Sequence, residues 1–231
     1  MVETDNGVAT TYTYTYDGDK LLTITGTNGI ERRYSYSNSL LIKEEVYNNG
    51  TLSEYTIFSY KANNRLAQTT HITSTGDDTW AGIRTAYTYN TDGTISTRLF
   101  QGNNLGQYDY IADGIIKYAG GNVAEYTQVP EDENDQDDIV PNPVVKIFTY
   151  SDSKAPFKNV FGYEGLFLAQ LQGGVNTLTS SQTTVIVPAT EEGEEDEEEI
   201  TTVNYTYSYN ESGYPVTETV GNITRQYTYT P

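Results

Sequence analysis

Two acidic runs carry the most conspicuous chemistry in the chain. Residues 131–138 read EDENDQDD and residues 191–199 read EEGEEDEEE, so they hold six and eight acids respectively. Oxygen-rich segments of this kind can hold Ca²⁺, which takes about six to eight oxygen ligands. An EF-hand loop, however, needs Gly at its sixth place and Glu at its twelfth, and counted from Asp132 those places hold Asp137 and Pro143. Adjacent carboxylates also repel one another and resist packing. The runs are therefore expected to be solvated, flexible hairpin tips at residues 130–142 and 189–200, with weak Ca²⁺ binding as the alternative.

The remaining candidates are sparse. His71 is the lone histidine, and there is no cysteine. A Ser–His–Asp arrangement needs a nucleophile and an orienting acid beside the imidazole, and a zinc site needs several nitrogen or sulfur ligands. Neither is identifiable around His71, which reads as a residue packed on or exposed from a strand. Trp80 follows Asp77 and Asp78 in STGDDTWAG, residues 74–82, which reads as a long loop. An aromatic face beside carboxylates can hold a sugar ring, the ring stacking while the acids accept its hydroxyl protons. Trp80, Asp77 and Asp78 are thus the candidate ligand contacts, against the plainer reading of Trp80 as a cap on the sheet. Gly120-Gly121 and Gly173-Gly174 are turn glycines without a phosphate-loop pattern, and no pair of carboxylates is singled out for glycoside hydrolysis. No cofactor is expected.

Net charge is −19, yet the two acidic runs hold fourteen of the 32 acids, leaving 18 acids against 13 Lys and Arg elsewhere. With no basic stripe to meet phosphates, nucleic acid is not an expected partner. The start, MVETDNGVATT, has neither the basic nor the apolar segment of a signal peptide. No apolar run is long enough for a membrane helix.

The elements that must position these residues are strands. Tyr, Thr, Val and Ile dominate, and the apolar–polar pattern alternates with period two between short turns. The opening unit YTYTYDGDKLL puts Tyr12, Tyr14 and Tyr16 on one strand face and Thr11, Thr13 and Thr15 on the other, turns at Asp17-Gly18, and returns through Leu22 and Ile24. Asn28-Gly29 is a type I′ hairpin signal, and turns of two to four residues recur along the chain. Such short links require antiparallel neighbours. The expected fold is all-β: one domain over residues 1–231, an up-and-down meander of about fourteen strands, strongly curved or rolled into an open barrel-like sheet. Residues 151–171 form an irregular crossing segment with a turn or two of helix around 165–171, its Phe157, Phe161, Phe167 and Leu171 filling core. Tyr–Thr strands offer no face suited to hydrocarbon, which favours a wall in water.

The unit Y-x-Y-[DN]-x-x-G-x-[LI] is carried by Tyr14–Asp17, by Tyr87–Gly93 and by Tyr207–Gly213. It resembles the tyrosine–aspartate repeats of Rhs-type surface proteins. Together with FTYSDSKAPFKNVF, residues 148–161, and YSYNESGYPVTET, residues 207–219, it is similar to a family of uncharacterised, tyrosine-rich surface lipoproteins of Gram-negative gut bacteria, described as having a porin-like β fold. That resemblance implies export, a lipid anchor upstream of these residues, and an outer-membrane, cell-surface or periplasmic location. It supplies no catalytic residues. The functional expectation is a non-enzymatic surface module that binds a glycan or another exported protein through its tyrosine rows. A structural spacer without a small-molecule site is the alternative, and a hydrolase using paired carboxylates a distant third.

Overall fold

The computed structural model describes residues 1–76, 78–131, 142–187 and 196–229. Among them sixteen strands follow one another: β1 (Val2–Asp5), β2 (Val8–Asp17), β3 (Lys20–Gly26), β4 (Ile30–Ser37), β5 (Leu40–Asn48), β6 (Thr51–Tyr60), β7 (Leu66–Gly76), β8 (Thr79–Tyr89), β9 (Ile95–Asn103), β10 (Gly106–Ala119), β11 (Asn122–Pro130), β12 (Val144–Lys154), β13 (Asn176–Val187), β14 (Glu197–Tyr209), β15 (Pro215–Val220) and β16 (Ile223–Gln226). Each pairs antiparallel with its sequence neighbours. β1 also pairs with β16, from Val2 opposite Gln226 to Asp5 opposite Ile223, and the sheet closes into a barrel.

The up-and-down all-β architecture is therefore as the sequence led us to expect, with full closure. The larger strand count includes β1 and β16, which are four residues each and too short for a period of two to register. The segment 74–82 is not a long loop. β7 and β8 run through it, and Asp78, at φ +60°, turns the chain between them. In the opening hairpin the returning inward residue is Leu21, paired with Tyr16, whereas Leu22 is exposed. A register shift beside Tyr16 displaces the alternation by one place.

Directly paired residues share a face, so the register assigns every side chain to the lumen or the outer wall. The lumen holds the hydrophobic core, including Leu21, Tyr34, Leu41, Phe58, Tyr87, Ile116, Tyr126 and Phe148. Sixteen strands enclose far more space than side chains alone can fill; eight-stranded barrels are about the size that side chains close. The chain supplies two fillers at one end. The first is the tyrosine unit. At six hairpins, and at the β12–β13 pair that the crossing segment joins, the second tyrosine of the pair, or its equivalent, sits opposite an inward residue of the returning strand: Tyr16 and Leu21, Tyr36 and Leu41, Tyr60 and Leu66, Tyr89 and Ile95, Tyr118 and Val123, Tyr209 and Pro215, with Tyr150 and Leu178 at β12–β13. The hydroxyls of three of these, and that of Tyr229, reach sideways to the strand pair before. Tyr36 donates to the carbonyl of Leu21 at 3.1 Å, Tyr60 to Leu41 at 2.8 Å, Tyr150 to Val123 at 2.8 Å, and Tyr229 to Pro215 at 2.9 Å. The repeat thus lines one barrel end with aromatic bodies, and at these four places a hydroxyl stitches neighbouring strand pairs together.

The second filler is the segment between β12 and β13, which crosses the lumen at this same end and carries the helix α1 (Tyr163–Ala169). Phe167 and Leu168 are buried in the core, and the carbonyl of Leu168 accepts the Tyr87 hydroxyl at 3.4 Å. Phe157, Tyr163 and Phe167 form an aromatic chain, with centroids 6.1 and 5.5 Å apart, that continues to Tyr14 and Tyr118 on the wall. Gly162, at φ +74°, starts the helix tight against Leu41. The segment is a plug held from several sides. No helix among the described residues is long and apolar enough to cross a membrane.

Candidate ligand recess in the barrel lumen

The plug does not fill its end of the lumen completely. Between it and the wall formed by β14, β15 and β16 lies a recess of about 340 Å³. Its plug side is made by Pro156, Tyr163, Phe167, Gln170 and Gln172, and its wall side by Tyr205, Tyr207, Glu218, Val220 and Arg225. The local reasons are simple. Alternation on β14 sends Tyr205, Tyr207 and Tyr209 inward together, and Tyr207 and Tyr209 stack with centroids 5.8 Å apart. The register then places Glu218 opposite both Tyr207 and Arg225, and Arg225 opposite Glu3.

That register assembles a charged cluster across the closing seam. Arg225 Nε donates to Glu3 Oε2 at 2.7 Å and its Nη1 donates to Glu218 Oε1. The Tyr227 hydroxyl donates to Glu218 Oε2 at 2.6 Å. Glu218 is 7% exposed, so its charge depends on these partners. Burial works against the Arg225 charge, but the hydrogen bond it donates to Glu3 and the field of Glu218 outweigh it and hold the guanidinium pKa above its ordinary value. Burial, and then the Glu218 charge, push the Tyr207 and Tyr227 hydroxyls up. Sequence reading missed this cluster because Glu3 and Arg225 are 222 residues apart. The available signal was parity: Arg225 occupies an inward place on a strand.

Buried tyrosines give the fold an alkaline limit. Burial raises Tyr36, Tyr60, Tyr150 and Tyr163 from 10.0 to about 12. Because the folded protein holds these protons more tightly than the unfolded chain, their stabilisation is complete below pH 10 and is lost as pH rises through about 12. Absorbance titration of tyrosinate should therefore show a late group of tyrosines that ionises together with unfolding, seen by circular dichroism. A single step near pH 10 with the fold intact would contradict this.

The sequence-derived candidates lie elsewhere. Trp80 is in β8 on the outer wall, opposite Ser74, with its ring 6.0 Å from Tyr55. Asp78 is exposed at the adjoining turn, and Asp77 lies outside the described residues. Lys43 lies 5.3 Å from the Tyr55 ring, so Trp80 belongs to an outward aromatic–cation row. His71 faces the lumen towards the other end. Its ring nitrogens meet Thr56 Oγ1 and Thr73 Oγ1, each at 3.0 Å, and Nε2 is 3.4 Å from Glu54 Oε2. No group of metal-ligating side chains occurs among the described residues. The Ca²⁺ expectation falls on residues 132–141 and 188–195, outside them; of the second run, Glu197–Glu199 lie in β14, paired with β13.

No family model matches the chain, and no curated protein matches it. Among solved structures the chain is similar to a porin-like protein from Bacteroides uniformis ATCC 8492, at 13% identity and a TM-score of 0.48, over 95% of this chain and 89% of that one.

Proposed function

We propose that the protein is a non-enzymatic binding barrel that holds a sugar-like ligand in the luminal recess. The observation that carries this reading is a set of convergent polar groups that make no hydrogen bond to the protein. The hydroxyls of the half-buried Tyr163, Tyr205 and Tyr207 and, at its exposed rim, the side-chain amides of Gln170 and Gln172 line the recess without a protein partner among the described residues. Amides and hydroxyls beside flat aromatic rings suit a polyhydroxylated ring, whose C–H face stacks while its hydroxyls exchange hydrogen bonds. A hydrolase would need two carboxylates free to act on substrate. The two that meet here, Glu3 and Glu218, are both engaged by Arg225, which supports binding over turnover.

The outer wall supports a barrel standing in water. The pairs Glu31–Arg33, Lys43–Glu45, Arg98–Asp113 and Lys117–Glu125 occupy outward places, and each Arg or Lys at a bilayer midplane costs about 2–4 kcal/mol. A surface or periplasmic setting belongs to the same proposal, and cell fractionation checks it.

The binding test is a panel of neutral mono- and oligosaccharides titrated into the wild type and into Tyr207→Ala. Binding that falls by about tenfold in the variant is expected, since stacking and hydroxyl contacts on one ring are together worth about 1–3 kcal/mol. Saccharide binding that Tyr207→Ala leaves unchanged would remove the recess from the account.

A further inference from the structure

Resting on that reading, we infer that the recess selects a ligand with a protonated amine, of the amino-sugar class, over neutral and acidic sugars. The inference comes from charge balance at the seam. Two carboxylates, Glu3 and Glu218, share one guanidinium, that of Arg225, and the other groups in the network, Tyr12 on Glu3 and Tyr227 on Glu218, are neutral hydroxyls. Arg225 is also the sole cation among the residues lining the recess. The cluster therefore carries one net negative charge at a site where Glu218 is almost fully buried. Charges act more strongly there than in water.

An ammonium group brings the balance to two against two. Glu218 can receive it, because each carboxylate oxygen keeps acceptor capacity beyond the single bond it makes to Arg225 or Tyr227. The ring that carries the ammonium would lie beside Tyr207, which the register places opposite Glu218. A carboxylate in the same place would face Glu218 with Arg225 already engaged on two sides. The rest of the recess, Gln170, Gln172, Tyr163 and Tyr205, is uncharged and serves hydroxyls equally in all three ligand classes. Charge at one position is thus the discriminating feature.

The test uses the full chain and three probes of matched shape: glucose, glucosamine at a pH where its amine is protonated, and glucuronate. Calorimetry should show glucosamine binding about tenfold more tightly than glucose, with glucuronate weakest, as a charge-assisted hydrogen bond at a buried carboxylate implies. Glu218→Gln should bring glucosamine to within about twofold of glucose, the ratio of the two being the readout whatever the variant does to glucose itself. Glu3→Gln, which removes one charge from the same network without lining the recess, should reduce the preference partway, and it provides the readout should the Glu218 variant fail to fold. Equal affinity of the wild type for glucose and glucosamine would overturn the charge selection and leave the sugar site standing. Absence of binding by all three probes would overturn both.

Discussion

Gly162→Ala should destabilise the barrel by about 3 kcal/mol and free the plug before the wall. Two costs add at this position. Gly162 holds φ +74° as the residue that starts α1, and the left-handed conformation costs a residue with a Cβ about 1–2 kcal/mol. A Cβ built there would also lie 2.5 Å from Leu41 Cβ and 2.9 Å from the Leu41 amide nitrogen. Leu41 is 0% exposed and its strand is paired on both sides, so its main chain cannot yield cheaply, and overpacking of this kind costs about 1–3 kcal/mol. Gly213 separates the two costs. It has a similar φ of +78° with nothing within 4 Å of a Cβ, so Gly213→Ala should lose only the first part, about 1 kcal/mol. Denaturant midpoints for the two variants give the comparison, and hydrogen exchange should report early loss of protection over residues 155–175 in Gly162→Ala. Equal midpoints for the two variants would contradict the tight seat described for the plug.

Arg225→Met tests the seam in the same way. Arg225 ties β16 to β1 through Glu3 and to β15 through Glu218, and β1 and β16 have only four residues each to hold the closure. Removing the guanidinium leaves Glu218, 7% exposed, beside Glu3 with no cation between them. Breaking one side of a buried pair costs about 3–5 kcal/mol. With the Arg225 side chain 28% exposed, solvent screens part of that, and a loss of about 2 kcal/mol is expected. Adding Glu218→Gln should return much of it, since the stranded charge rather than the missing attraction carries the cost. Thermal unfolding of the single and double variants measures both quantities. A double variant less stable than Arg225→Met would show that the cluster is not acting as a charge network.

Much of this architecture is written locally in the chain. The Tyr12–Tyr16 alternation, the Asp-Gly and Asn-Gly turns and the short links fix strand type and antiparallel order, because each depends on residues a few places apart. The recurring tyrosine unit marks the hairpins of one barrel end. What it does there needed the third dimension. The hydroxyl of Tyr60 is answered by the carbonyl of Leu41 on an earlier hairpin, and no spacing rule announces that. The face that the tyrosines present to the lumen also follows only from closure, since alternation alone leaves both faces equivalent. The plug was visible as a loss of rhythm with apolar anchors, but its seat inside the barrel was not, and of the four residues expected in core Phe161 is exposed, 42% of its surface facing solvent. Trp80 stood out by composition. Its place on the outer wall beside Tyr55, away from the recess, is set by its register on β8 opposite Ser74, in a stretch that reads as a loop in the sequence.

The ligand is proposed to sit in the barrel end, between the plug and the wall of β14, β15 and β16. Proton NMR of the aromatic side chains during titration with the tightest-binding saccharide tests it most directly. Shifts are expected for Tyr163, Tyr205 and Tyr207, with the indole of Trp80 and the ring of Tyr55 unmoved. Shifts confined to Trp80 and Tyr55 would place the ligand on the outer wall and contradict it.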